Sequence, residues 1–176
     1  QGAFGALHME IAILFALICL NGVFAMSEIA LVTARKARLQ KLIDEGDNGA
    51  AAAVKLGEDP TRFLSTIQIG ITSIGVLNGI VGEAALAAPL AQWLTVVGVP
   101  SPYAGYASTG LVVVLITYFS IVVGELTAKR LAMQSAESFA MALAPLVNAI
   151  ATVTRPVIWF LGVSTNGLVR VLGGDP

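Results

Sequence analysis

The stretch at 117–135, "TYFSIVVGELTAKRLAMQS", decides how this chain must fold. It begins as an apolar run, carries a lone carboxylate at Glu125 directly after Gly124, and then reaches Lys129 and Arg130. A helix that crosses a membrane needs about 20 mostly apolar residues, and this run forms the end of such a segment. The question for the whole chain is why an acidic side chain lies in an apolar helix.

Composition assigns the chain to the membrane proteins. Hydrophobic residues make up 56% of the 176 residues and charged residues 12%, with a mean hydropathy of +0.83. A soluble domain carries roughly 25% charged residues, so too few are present to cover a surface in water. The net charge of −1 gives no sign of a nucleic-acid partner. The single cysteine, Cys19, excludes a disulfide within one chain. We predict an all-α membrane protein.

The first eight residues, 1–8, precede the first methionine, Met9, and contain the only histidine, His8. We interpret them as a remnant of cloning, so the predicted domain covers 9–172 and His8 is not proposed as a ligand. The sequence that follows lacks the basic start of a signal peptide and continues as helix-compatible sequence. We therefore expect it to be a retained span.

Three apolar segments are long enough to cross a membrane, and turn or breaker residues separate them. We predict spans at 10–34, 61–93 and 106–128. A fourth apolar stretch, 138–172, is interrupted by Pro145, Arg155 and Pro156, and its pieces are short for a span. We therefore predict juxtamembrane helices over 135–172, lying in the interface or packed beside the bundle, rather than a fourth crossing.

The connection at 35–59 is predicted to hold a pair of short helices, closed by Gly46 and Gly57. This connection is rich in lysine and arginine, whereas the predicted outer connection at 94–106 has neither. Because lysine and arginine concentrate on the cytoplasmic side, we expect the N-terminus outside the cell membrane and the C-terminus in the cytoplasm. The helical pair is then either a solvated cap or a docking surface for a cytoplasmic domain.

Each predicted span contains polar or small residues that can turn toward the other helices. Ser27, Ser73 and Glu125 are predicted to lie well inside the apolar thickness. A charge at that depth costs about 2.5–3.5 kcal/mol on insertion scales, and the cores of the three spans contain no lysine or arginine. A proton, a bound cation or hydrogen bonds would stabilise the Glu125 carboxylate. The alternative is a carboxylate near the interface that pairs with Lys129, four residues on.

The polar side chains in the spans carry hydroxyl, amide and carboxylate oxygens, which are hard ligands that suit Mg²⁺, Ca²⁺ or Na⁺. Gly124 lets the helix loosen and free a backbone carbonyl for an ion. For Ser27 and Ser73 the alternative is a hydroxyl bonded to the carbonyl one turn earlier. Gly75 and Gly79 form a G-x-x-x-G pattern, which predicts close packing either within one subunit or at a dimer interface.

Three motifs occur in order along the chain: "SEIAL" at 27–31, "DPTRFLSTIQIG" at 59–70 and "GELTAK" at 124–129. Together they resemble the membrane domain (the DUF21 or cyclin M domain) of the CorC/CorB/CNNM family of magnesium transporters, and the resemblance covers roughly 9–172. It implies three transmembrane helices, a cytoplasmic helical pair, a juxtamembrane helix and a homodimer. Family members continue into a cytoplasmic CBS-domain pair that binds ATP. This chain stops before such a pair, so we expect it not to bind ATP.

The resemblance implies magnesium transport, in the direction of export and with sodium as the expected driving ion. It assigns a carbonyl ligand to Gly124, a carboxylate ligand to Glu125 and a polar ligand to Ser27. In the second helix Ser73 matches best, and Asn78 and Thr66 are further candidates. The predicted metal ligands are Ser27, Ser73, Asn78, Gly124 and Glu125.

Two other function classes make different demands on the polar residues of the spans. A regulatory or scaffolding membrane dimer would use the polar stripes only to hold helices together, and its stability would not depend on ions. An intramembrane enzyme is not expected, because the spans contain no Ser/His pair, no H-E-x-x-H motif and no aspartate dyad.

Overall fold

The computed structural model describes residues 2–175, with side chains throughout that range except at positions 3 and 4. Every regular element among these residues is helical, and the predicted all-α class is confirmed. The helices are α1 Gly2–Thr33, α2 Lys36–Asp44, α3 Asn48–Gly57, α4 Pro60–Gly82, α5 Ala88–Val97, α6 Ser101–Ile121, α7 Ala128–Gln134, α8 Ala136–Val153 and α9 Arg155–Val171. One π-helical turn, Glu83–Ala87, joins α4 to α5, and a second, Val122–Thr127, joins α6 to α7.

Four helical segments, one more than predicted, are long and apolar enough to cross a membrane. They are Gly5–Thr33, Pro60–Val97, Ser101–Gln134 and Ala136–Val153. The additional segment is α8, which runs unbroken through Pro145 for 18 residues. Pro145 was predicted to interrupt this stretch, but a proline removes only its own N–H donor, and apolar helices tolerate that loss when neighbouring groups satisfy the freed carbonyl.

The predicted outer connection at 94–106 is much shorter in the structure. Helix α5 continues to Val97 and α6 begins at Ser101, so three residues separate them. Gly98 ends α5 with a φ of +123°, a left-handed conformation that glycine adopts without strain. Pro102 lies in the first turn of α6, where its missing N–H costs nothing. The proline and glycine residues of this stretch therefore mark a helix start rather than a long loop.

Two short helices occupy the predicted 35–59 connection. Gly46, with a φ of +94°, follows α2 as predicted, whereas Gly57 lies inside the end of α3. The side chain of Asp47 caps α3, because its Oδ1 accepts the Ala50 backbone N–H at 3.0 Å.

The chain forms two compact units, each with its own core. The first consists of residues 2–26 and 70–131, and the second of residues 27–69 and 132–175. In the first unit, missing side chains allow close approach of the helices. A Cβ at Gly82 of α4 would meet Ile116 of α6, and a Cβ at Gly70 would lie 2.7 Å from the ring of Phe24 in α1. In lipid, such close packing is a main source of helix association.

In the second unit, α3 packs against α8 through small residues. The buried residues are Ala50, Ala53 and Leu56 on α3 and Ala140, Ala144 and Val147 on α8. At the start of α8, Glu137 accepts the Arg35 backbone N–H at 3.4 Å and lies 4.0 Å from the Arg38 guanidinium. These polar contacts connect the segment around α2 to α8.

The contact between α3 and α8 predicts that Gly49→Ala is destabilising. An added Cβ would collide with the Met141 carbonyl, whose carbon would lie only 3.1 Å away, and the backbone cannot move aside easily. We expect the free energy of unfolding to fall by roughly 1–3 kcal/mol, measured by denaturant unfolding of the protein in detergent micelles. Gly57→Ala in the same helix is the control, because its Cβ would meet nothing within 4 Å. An equal loss in both variants would contradict this account of the packing.

Candidate functional site

The third long apolar segment is loosened at the position of the acidic residue. The turn Val122–Thr127 is π-helical, so its backbone hydrogen bonds follow an i→i+5 pattern in place of the usual i→i+4. Gly124 and Glu125 both lie in this turn. Single π-helical turns within α-helices occur often at functional sites, because they shift backbone carbonyls out of the regular ladder. The predicted loosening of the helix at Gly124 is thus present in the structure.

A side chain of α1 binds the backbone of this turn. Asn21 Nδ2 donates a hydrogen bond to the Gly124 carbonyl oxygen at 3.1 Å, and both residues are buried. The next residue of α1, Gly22, faces the same turn, since an added Cβ there would lie 3.7 Å from the Val123 carbonyl oxygen. The Asn21 amide thus provides the Gly124 carbonyl with a donor from outside its own helix.

Gly124 must lack a side chain for this contact to form. A Cβ at position 124 would lie 2.9 Å from Asn21 Nδ2 and 3.3 Å from the Ile18 carbonyl oxygen. Both distances are shorter than ordinary van der Waals contacts, and the second involves backbone, which cannot rotate away. The glycine therefore permits the close approach of α1 as well as the loosened helix.

Glu125, the next residue of the turn, is half-buried. Among residues 2–175, no lysine or arginine lies within 4.0 Å of its carboxylate, and the alternative partner Lys129 is not paired with it. The π-helical turn explains this result, because it changes the angular register that brings residues i and i+4 onto one face in a regular helix. The carboxylate is thus left beside a carbonyl-rich turn without a cationic side chain.

Asn78 provides a second polar group in the first unit. It lies with Ile74 and Gly82 on the buried stripe of α4 and is 3% exposed. Its Oδ1 atom is buried and accepts no hydrogen bond from any residue in the described range 2–175. A buried amide oxygen without a donor is costly, so a cation or another donor at this atom would be stabilising.

The two predicted serine ligands lie in different surroundings. Ser27 is 1% exposed and belongs to the second unit, whereas Ser73 is exposed on α4 in the first unit. Thr66, the weaker candidate, is fully buried and donates its hydroxyl to the Arg62 carbonyl one turn earlier at 2.8 Å. This bond is the structural alternative considered for the serines, and here it occurs at the threonine. Ser27 and Ser73 remain predicted ligands.

Sequence reasoning did not select Asn21 for the site. The available signal was that Asn21 is a polar side chain within the predicted span 10–34. It also overlooked Glu83, a second acidic residue in a π-helical turn, whose Oε1 accepts the Thr109 hydroxyl at 3.1 Å. Within the described range 2–175, no three His, Cys, Asp or Glu residues cluster as a metal site.

Comparison with known proteins gives a consistent picture. The family model described as the Cyclin M transmembrane N-terminal domain matches residues 12–176. The chain is 45% identical over 168 residues to the UPF0053 protein sll0260 of Synechocystis sp., an alignment that covers 96% of this chain and 38% of that protein. It is 32% identical over 162 residues to the polyamine export protein of Salmonella typhimurium, covering 92% of this chain and 36% of that protein.

A third relative is the UPF0053 protein YugS of Bacillus subtilis. The chain is 30% identical to it over 167 residues, which are 95% of this chain and 39% of that protein. The chain therefore spans less than two fifths of the length of these three relatives. The similarity concerns only part of each relative, and the activity of a whole relative does not follow from it.

The contact between Asn21 and Gly124 predicts the effect of adding one methyl group. Gly124→Ala should lower the free energy of unfolding by roughly 1–3 kcal/mol, because the new Cβ displaces the Asn21 amide from the carbonyl. Gly110→Ala in α6 is the matched control, since its Cβ would meet nothing within 4 Å. There we expect stability to stay the same or rise by up to about 1 kcal/mol, as for glycine replacement in a helix. Thermal unfolding in detergent measures both, and equal midpoints for the two variants would refute the proposed contact.

Proposed function

Because this chain belongs to the cyclin M transmembrane N-terminal domain family, we propose that it is the membrane domain of a cation exporter whose cargo is Mg²⁺. The turn Val122–Thr127 carries the proposal. Its Gly124 carbonyl accepts from a side chain outside its own helix, and Glu125 has no cationic partner among residues 2–175. One helical turn thus offers a backbone oxygen and a negative charge next to each other inside an apolar segment.

The proposed ligands are oxygen atoms of Ser27, Ser73, Asn78, Gly124 and Glu125. Mg²⁺ prefers an octahedral set of hard oxygens and usually keeps several waters, so a partial set of protein oxygens is sufficient. The orphaned Oδ1 of Asn78 supports its inclusion, because a cation would satisfy an atom that has no donor among the described residues. The half-buried position of Glu125 supports its role as the charged ligand.

Asn21 gives the proposed site two satisfied states. With no cation bound, its amide donates to the Gly124 carbonyl, as observed at 3.1 Å. When the cation arrives, it takes the place of the amide N–H at this oxygen, and the carbonyl remains satisfied. Backbone groups inside a membrane require a partner in every state, so this exchange lets the cation enter and leave without exposing a bare carbonyl to lipid.

The proposed topology has three crossings, with α8 and α9 lying in the interface. We place the N-terminus outside the cell membrane and the helical pair α2–α3 and the C-terminus in the cytoplasm, from the distribution of lysine and arginine. In the longer protein, a cytoplasmic CBS-domain pair would bind ATP, and a sodium gradient would drive export. Neither an enzymatic step nor a nucleic acid is part of the proposal.

The proposed domain is a homodimer that packs through the α4 face carrying Gly75 and Gly79. Both glycines are exposed, and a Cβ at either would meet nothing within 4 Å. Within the described range 2–175, the G-x-x-x-G pattern therefore does not serve close packing inside one subunit. Exposed glycines at this spacing favour close approach of a second helix, and a second copy of the chain supplies it.

A polyamine is the second candidate cargo, favoured by the relatives named polyamine export protein in Salmonella typhimurium and Haemophilus influenzae. The ammonium groups of a polyamine would donate hydrogen bonds to the same carboxylate, carbonyl and amide oxygens that suit Mg²⁺. The other candidate is a regulatory or scaffolding dimer without transport of its own.

The first experiment measures thermal unfolding of the purified chain during titration with Mg²⁺, Ca²⁺, Na⁺ and spermidine. We expect Mg²⁺ to raise the midpoint, since saturation at a hundred times Kd stabilises the folded state by about 2.7 kcal/mol. Glu125→Gln should abolish this rise, and Glu58→Gln, at an exposed carboxylate after α3, should keep it. A rise with spermidine alone would identify the polyamine as cargo. A flat response to all four would favour the scaffolding dimer.

The second experiment follows efflux from Mg²⁺-loaded cells that produce the protein. Glu125→Ala should abolish efflux, because it removes the only charged ligand of the proposed site, and Glu58→Ala should leave it intact. Expression of the variants is matched by immunoblot. Efflux of Glu125→Ala at the wild-type rate would remove this residue from the transport path.

A further inference from the structure

A pocket in the second unit has the chemistry of an anion site. It has a volume of about 270 Å³ and lies where the start of α4 meets the start of α9. Its lining residues are Asp59, Thr61, Arg62, Arg155, Ile158 and Trp159. The proposed transport site uses none of them, so this pocket is independent of the cation chemistry described above.

Arg62 has a buried donor that no residue in the described part of the chain satisfies. Its Nη2 donates to the Thr152 hydroxyl at 3.3 Å. Its Nε atom is buried and finds no acceptor in the part of the chain that the structure describes. A buried guanidinium N–H without an acceptor is costly, so the Arg62 charge is incompletely compensated by the protein, and an anion in the pocket that Arg62 lines would compensate it.

The remaining lining residues make the pocket electropositive. Arg155 adds a second guanidinium at the start of α9. Asp59 is the one carboxylate in the lining, and its Oδ1 accepts the backbone N–H of Arg62 at 3.2 Å, which caps α4. The pocket therefore has two positive side chains against one capping carboxylate. The N-termini of two long helices, α4 and α9, add their partial positive charges.

The same residues lie at the edge of the membrane-spanning region. Arg62 is in the first turn of the segment Pro60–Val97, which is long and apolar enough to cross a membrane. Trp159 is 69% exposed, and tryptophan concentrates at the membrane–water boundary, where its ring contacts both lipid and headgroups. Ile158 extends the apolar side of the pocket, so an acyl chain and a headgroup could contact it together.

We propose that this pocket binds the phosphate group of an anionic membrane lipid. The phosphate accepts from the Arg62 and Arg155 guanidinium groups, which both line the pocket, and the Thr61 hydroxyl is a further donor. The acyl chains lie along Ile158 and Trp159. The lipid thereby holds the start of α9 against the start of α4 at the membrane surface.

Trp159 reports on this site directly. The chain has two tryptophans, and Trp93→Phe, at an exposed position, leaves Trp159 as the only one. This single-tryptophan chain is reconstituted in phosphatidylcholine vesicles with increasing phosphatidylglycerol, and either lipid carries brominated acyl chains that quench its fluorescence. We expect brominated phosphatidylglycerol to quench at lower mole fraction, with a preference of roughly fivefold for each arginine that contacts it.

Three further variants test the contacts. Arg62→Gln and Arg155→Gln should each reduce the preference roughly fivefold, and Arg170→Gln, the same change in the last turn of α9 outside the pocket, should not. Should Arg62→Gln fail to fold, Arg155→Gln still tests the lipid preference, because the Arg155 side chain is exposed and its replacement leaves the core unchanged. Equal quenching by the two lipids, or a preference unchanged by Arg155→Gln, would overturn the proposal. Loss of the preference in millimolar inorganic phosphate would assign the site to free phosphate instead of lipid.

Discussion

The hydrogen bond from Asn21 to the Gly124 carbonyl is the interaction on which the first unit depends. Inside hydrocarbon, every backbone carbonyl needs a partner, and a π-helical turn disturbs the ladder that normally supplies one. The Asn21 amide of α1 gives one carbonyl of this turn a donor, and it reaches that carbonyl because position 124 has no side chain. The loosened turn, the glycine and the asparagine therefore form one physical unit.

That contact has a chemical consequence. It lies next to the Glu125 carboxylate, which has no lysine or arginine partner among residues 2–175. Asn78 adds a buried amide oxygen with no donor among the residues described. A protein that only needed a stable helical bundle would replace such groups with apolar ones at little cost. Their presence is understandable if a positively charged ligand satisfies them for part of the time.

The second unit contains a positively charged side chain that is incompletely paired. Among residues 2–175, the buried Nε of Arg62 has no hydrogen-bond acceptor. In the first unit, the Glu125 carboxylate has no lysine or arginine partner in the same range. The proposed cation would compensate the Glu125 charge, and the proposed lipid phosphate would compensate the Arg62 charge. Small residues give both units their cohesion, as in the packing of α3 on α8. Polar groups are thus free to serve binding rather than stability.

The amino-acid sequence by itself determined the all-α membrane class, the approximate positions of three apolar spans, and the loosening at Gly124 beside a lone carboxylate. These features follow from local properties, namely hydropathy over a window of residues and the freedom of a glycine backbone. Only the tertiary structure decided that Asn21 is the partner of Gly124, that Ser73 is exposed while Asn78 is buried, and that Glu125 and Lys129 do not pair. Each of these depends on which face a helix turns toward its neighbours, and one π-helical turn rotates that face for every residue beyond it.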